Sequence, residues 1–289
     1  MAGLLMSYFT AEDESLFLAY SRDGRNFTAL NDGRPVLPGT VGNRSLRDPF
    51  IAAGPDGRFH LLATDGWTST AIVHASSEDL LEWSEQELIP VMADVPGAHN
   101  AWAPEFFLDP DAGLYYVIWS SVVDPGATAD NSWQHVGQDH RIWCCTTSDF
   151  RSYSAPRIFF DPGHSVIDAT VVYHDGLYTM AYKDERGMNA PTTSHKDIHL
   201  TTFRSPGSSF SHPHGPVTPS AVEGPTLFRR EDEWVLLFDH YLEGRYGSLC
   251  SSDGLGWRTA AVTVPPGTRH ASVVRLKQEP GWLEPEAAA

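Results

Sequence analysis

Along most of the chain, apolar residues gather into short runs rich in β-branched and aromatic side chains, each closed by a polar turn. FIAAG passes through Asp56-Gly57 into RFHLLAT, TVVYH passes through Asp175-Gly176 into LYTMAYK, and LCSS runs into Asp253-Gly254. Runs of this length bounded by Asp-Gly pairs mark strands and hairpins. No stretch carries a long amphipathic helical period. The pattern predicts an all-β protein.

The runs also repeat. An opening motif leads into an apolar strand, an acidic or glycine turn, an aromatic-rich strand, and a third strand ending in a Ser/Thr-Asp turn. Copies begin at RDPFIAAG, WAPEFFLD, IDATVVYH and VEGPTLFR, and a fifth begins at RHASVVRL near the end of the chain. The N-terminal LLMSYF and SLFLAYSRDGRNFTAL have the character of second and third strands without an opening motif. Joining the two ragged ends predicts a five-bladed β-propeller over residues 1–280, with its last blade shared by the N- and C-terminal segments and residues 281–289 as a tail. Two packed β-sandwiches, the rival architecture, would not produce a split copy.

The five openings align as Arg47-Asp48-Pro49, Trp102-Ala103-Pro104, Ile167-Asp168-Ala169, Val222-Glu223-Gly224 and Arg269-His270-Ala271. The innermost strand of each blade lines the propeller axis, so the middle column, Asp48, Ala103, Asp168, Glu223 and His270, forms a ring of three carboxylates and one imidazole. Like charges drawn together in a partly desolvated funnel raise one another's pKa and cost stability unless they are used. Glycoside hydrolysis uses such a set, because one carboxylic acid protonates the leaving oxygen while a second carboxylate activates water. The alternative is a carbohydrate-binding or scaffolding propeller whose polar funnel is satisfied by water.

A net charge of -17 argues against nucleic acid and anionic membranes, which need clustered Lys and Arg, and makes a neutral small substrate easier to accept, which for the hydrolytic reading is an oligosaccharide. The N-terminal segment lacks a basic region and a long apolar core, and no run approaches the ~20 apolar residues of a membrane span; the chain as given reads as cytoplasmic. Nothing in the sequence sets an oligomeric state. Cys144, Cys145 and Cys250 lack ligand spacing and read as reduced thiols on strands. Six histidines, His135, His140, His195, His199, His212 and His214, lie in Gly-, Pro- and Ser-rich loops without zinc spacing and read as solvated.

The motif openings resemble those of glycoside hydrolase family 43, five-bladed propeller enzymes acting on α-L-arabinofuranosides and β-D-xylosides, and the resemblance runs through all five. It implies that Asp48 of Arg47-Asp48-Pro49 is the general base. By the same likeness Asp168 tunes and orients the acid, and Glu223 of the Glu-Gly motif is the general acid. Trp102 would shape the sugar pocket and Arg269 would reach the substrate, while His270 would face a water-coordinated ion, often calcium, in the central channel. No cofactor is required. The family mechanism inverts anomeric configuration, which implies Asp48 and Glu223 carboxyls roughly 6.5 to 9.5 Å apart. Trp67, Trp119, Trp133, Trp143, His240 and Tyr241 flank the strands as further pocket candidates, Arg47 stands at the rim or pairs with Asp48, and loops 122–140 and 184–197, the latter with Asp184 and Glu185, are long enough to roof the funnel.

Overall fold

The computed structural model describes residues 3–124, 139–278 and 281–282. Among these, strands form five antiparallel sheets, each stepping outward from an inner strand. The first blade holds β4 (Arg47–Ala53), β5 (Phe59–Thr64), β6 (Ile72–Ser77) and β7 (Glu87–Ile89). The second holds β8 (Trp102–Asp109), β9 (Leu114–Ser121), β10 (Arg141–Thr147) and β11 (Arg157–Phe160), and the third has three strands, β12 (Val166–His174), β13 (Leu177–Asp184) and β14 (Asp197–Phe203). β15 (Glu223–Arg230), β16 (Glu233–His240), β17 (Arg245–Ser251) and β18 (Arg258–Thr259) make the fourth. In the last blade β19 (Thr268–Arg275) is the inner strand and pairs with β1 (Leu4–Thr10), which continues to β2 (Phe17–Ser21) and β3 (Thr28–Ala29). The split copy in the sequence is therefore one blade, closed by hydrogen bonds between the two ends of the chain.

Each inner strand touches the next, from β4 to β8, β12, β15, β19 and back to β4. The apolar side chains that leave the axis pack between neighbouring blades: Phe50, Phe106 and Trp119 between the first and second, Phe107, Ile118 and Tyr178 between the second and third, and Leu200, Leu227 and Phe238 between the third and fourth. Trp119 and Trp143 belong to this packing, so neither is a pocket residue; Trp133 and His135 lie outside the described residues. The Ser/Thr-Asp turns recur as expected, with Asp79, Asp149 and Asp253 each accepting two backbone N–H groups and a serine or threonine hydroxyl. Ser21 and Asp23 repeat this turn in the blade that the N-terminus completes. All three cysteines are free and buried. From the C-terminal tail, Trp282 donates to the carbonyl of Asp79, 2.8 Å away. No helix among the described residues is long and apolar enough to cross a membrane.

Candidate active site

Every inner strand breaks its ladder in the same place. Pairing with the second strand skips from Arg47 to Phe50, Trp102 to Glu105, Ile167 to Thr170, Glu223 to Thr226 and Arg269 to Ser272. At each bulge one residue takes the left-handed region: Asp48 (φ 49°), Ala103 (48°), Asp168 (55°), Gly224 (54°) and His270 (34°). Bulges re-aim a side chain at the cost of ladder bonds, and here they turn it toward the axis.

This geometry corrects the alignment of the fourth opening by one residue. The partner of Asp48, Asp168 and His270 is Gly224, and Glu223 belongs to the column of Arg47, Trp102, Ile167 and Arg269, one step toward the mouth of the funnel. The physical reason is crowding: a Cβ on Gly224 would lie 2.8 Å from Cγ of His270, so that place in the axial ring cannot carry a carboxylate. The small column then reads Pro49, Pro104, Ala169, Pro225 and Ala271.

Bonds between blades hold the ring. Thr64 donates to Asp48 Oδ2 at 2.7 Å and accepts from the N–H of Ala103 at 2.8 Å. Ser120 accepts from the N–H of Asp168 at 3.0 Å, and Asp168 Oδ2 accepts from the N–H of Gly224 at 3.1 Å. Nδ1 of His270 stands 3.2 Å from Asp48 Oδ1. Burial pushes the Asp168 carboxyl up to about 6, against the pull of His270 and Lys183. Burial acts to lower the His270 pKa, but the carboxylates of Asp48, Asp168 and Glu223 outweigh it and raise it. Deeper on the axis, Glu105 bonds Thr170 and Ser272, and burial lifts it to about 8.

Glu223 is held by two cations. Lys183 Nζ lies 3.2 Å from Oε2, and Arg269 Nη2 lies 3.3 Å from Oε1. Lys183, itself buried, also meets Glu185 at 2.8 Å, and Glu185 pairs with Lys196. Arg269 further grips the fully buried Asp239 at 2.5 Å, whose carboxyl burial raises to about 6. Lys183 and Asp239 are the cross-strand partners of Ile167 and Glu223, just as Thr64, Ser120 and Phe9 partner Arg47, Trp102 and Arg269. A second ring thus surrounds the first, and Phe9, Thr64, Lys183 and Asp239 were not anticipated. All but Phe9 had a signal, since each second strand of the first four blades ends its apolar run on a polar residue: LLAT, VIWS, MAYK, LLFD.

Of these groups Phe9, Thr64 and Lys183 line a cavity of about 440 Å³, and Asp239 does not. Asp48, Asp168, Glu223, Arg269 and His270 line it together with Arg47, Trp67, Trp102, Tyr241, Glu185 and Asn189. Loop 184–197 does reach the cavity, through Glu185 and Asn189, and Asn189 Oδ1 accepts from the Tyr241 hydroxyl at 3.1 Å; Asp184 does not. The Trp102 indole packs edge-on against Trp67, and its ring stacks on His140 at 4.9 Å. His140 is therefore buried against the pocket wall, where a solvated loop residue was expected. His240 is absent from the wall: it is buried beside Phe238, because the end of β16 turns its side chain into the blade. Arg47 does not pair with Asp48. It bonds Glu14 at 2.7 Å and lies over the rings of Phe9 and Trp67 at 4.7 and 4.6 Å.

Residues 1–280 match the model of a family 43-related glycosyl hydrolase family, described as "Probable glycosyl hydrolase domain". The chain belongs to this family. Over 212 residues it is 28% identical to an α-L-arabinofuranosidase of Bifidobacterium longum, a match covering 63% of this chain and 20% of that enzyme; the chain thus aligns with about a fifth of its relative's length. Among solved structures, the fold of this family 43-related chain is similar to a thermostable family-43 glycoside hydrolase, with a TM-score of 0.60 and 17% identity over 80% of this chain and 77% of the other. It is also similar to the catalytic domain of a family 62 α-L-arabinofuranosidase from Coprinopsis cinerea, with a TM-score of 0.57 and 19% identity over 82% and 75% of the two chains. At these identities the structural likeness speaks for the fold alone.

Proposed function

We propose that this family 43-related protein is an inverting exo-glycosidase that releases a terminal α-L-arabinofuranosyl or β-D-xylosyl residue from an oligosaccharide. The observation that carries the reading is the meeting of Asp48, Asp168 and Glu223 in one small cavity with three different sets of partners. The volume is at the small end of ligand cavities and suits one sugar with part of its neighbour. Trp67 and Trp102 offer apolar faces to the ring, and Arg269 offers donors to its hydroxyls.

Glu223 gives its proton to the glycosidic oxygen as the bond to the anomeric carbon breaks. Asp48 takes a proton from the water whose oxygen bonds that carbon from the opposite face. Thr64 and His270 each occupy one Asp48 oxygen and fix its direction. Asp168 acts on the acid through its backbone, because its carboxylate holds the N–H of Gly224, the residue after Glu223. A calcium ion on the axis, which the family resemblance implies, fits the sign of the buried carboxyl cluster: Glu105 and Asp168 would supply oxygen donors, and His270 would hold the ion through water. Its contribution there would be countercharge to the buried carboxyls.

A panel of nitrophenyl arabinofuranoside, xyloside and galactofuranoside, with the product anomer followed by NMR, tests the reading. Turnover on one of the first two with an inverted product is expected. Turnover on none would favour the carbohydrate-binding propeller, and a retained product would exclude the roles given to Asp48 and Glu223.

A further inference from the structure

His195 of loop 184–197, His199 of β14 and His164 from the turn before β12 gather at a place away from the cavity; His199, expected as a solvated loop residue, is a half-buried strand residue paired with Tyr182. β13 ends on Asp184 and β14 begins on Asp197, and the two are direct cross-strand partners. Both are buried, with the Asp184 side chain 1% exposed. Like charges facing each other across a ladder repel, and burial makes an uncompensated pair costly. Three imidazoles approach them: His199 Nε2 lies 3.0 Å from Asp197 Oδ1, and Nδ1 of His195 and of His164 lie 3.5 and 3.7 Å from the two Asp184 oxygens. Arg186 reaches back to Asp184 at 2.5 Å. The ligand atoms of Asp184, Asp197 and His199 all lie within 4.8 Å of one another. Gly215 presses on the third of these, since a Cβ there would sit 2.7 Å from His199 Nδ1.

We propose that this cluster binds a divalent transition ion of the zinc class, with Asp184, Asp197 and His199 as ligands and His195 or His164 completing a tetrahedron. Mixed imidazole and carboxylate donors suit zinc, whereas calcium and magnesium take oxygen sets of about six or more. Ligand bonds of about 2.0–2.2 Å require the three side chains to close on the ion by roughly an ångström. Arg186, whose side chain is 45% exposed, holds Asp184 in the metal-free protein and swings out as the ion enters, so one positive charge replaces another. The ion clips together the two ends of loop 184–197, from which Glu185 and Asn189 reach the cavity. The inference stands on this cluster alone and is independent of the catalytic roles above.

The test is calorimetric titration of the chelator-treated full chain with zinc chloride, together with thermal unfolding. One equivalent of zinc is expected to bind and raise the melting temperature. Asp197→Asn and His199→Ala should each weaken binding by about tenfold or more, while His212→Ala and His214→Ala, both at exposed positions, leave it unchanged. Arg186→Gln should melt lower without zinc and recover with it, a rescue that does not depend on the ligand variants folding. Absence of stoichiometric binding, equal response to calcium, or Arg186→Gln that zinc fails to rescue would overturn the proposal.

Discussion

Glu223 and Gly224 show how much turns on one residue at a bulge. Four bulge positions carry a Cβ at a left-handed φ, so the strain of that conformation is tolerated around the ring, and the glycine answers a different demand. Its missing Cβ leaves room for His270, which in turn faces Asp48. Gly224→Ala is therefore expected to destabilise the protein by about 1–3 kcal/mol through overpacking, read from chemical denaturation, and to lower kcat by disturbing the His270–Asp48 contact. For the proposed reaction, Glu223→Ala should slow substrates with poor leaving groups about 10²–10⁴-fold and activated aryl glycosides far less, since only the former need protonation. Asp48→Asn should nearly abolish both. Full activity in Asp48→Asn would remove Asp48 from the role of base.

At the scale of elements, the second strands matter as much as the inner ones. β13 delivers Lys183 to a buried position where its ammonium meets Glu223 and Glu185 and lies 4.9 Å from the centre of the Tyr241 ring. The attraction of the two carboxylates outweighs burial and raises the Lys183 pKa. Lys183→Met would leave two acids facing one another without their shared cation, and a loss on the order of 3–5 kcal/mol is expected from breaking such a pair. Reading thermal unfolding of Lys183→Met beside Lys196→Met separates the two links of this chain, because only the first touches Glu223. The polar endings of the second strands are visible in the sequence, yet their meaning is not: a lysine after an apolar run looks like a strand end entering solvent until the neighbouring blade brings Glu223 against it.

For the whole molecule, ring closure and axial charge set the stability. β1 pairs with both β19 and β2, so deleting residues 1–10 should expose the edge of β19 and abolish the single cooperative unfolding transition. The axial groups also give the stability a direction with pH. Asp168 and Asp239, raised to about 6, keep protons that the unfolded chain loses near pH 4, so each favours the fold less as pH rises from about 4 to 6, by up to about 3 kcal/mol. His270, raised above its ordinary value, contributes stability that is present at acid pH and lost as pH rises through its folded value. The three act in the same sense. Opposing them, backbone N–H groups hold the Asp253 carboxyl down to about 2, a contribution lost as pH falls below about 4. The melting temperature is thus expected to peak near pH 4 and to be several degrees lower at pH 8; a higher melting temperature at pH 8 would contradict the burial of Asp168 and Asp239 described above.

The sequence by itself determined the all-β class, the five units, the blade split between the chain's ends, and Asp48, Asp168 and His270 as members of one ring. It could do so because strand period, turn residues and repeat spacing are local properties, and aligned copies reveal which position departs from the packing pattern. Tertiary structure decided what depends on contact between blades: that Gly224 takes the ring position assigned to Glu223, that Lys183 and Asp239 stand behind the carboxylates, that His240 turns away from the cavity, and that His199 and Asp197 meet Asp184. A repeat alignment counts residues along a strand, whereas steric crowding at the axis and charge pairing across blades arise only when the strands close into a ring.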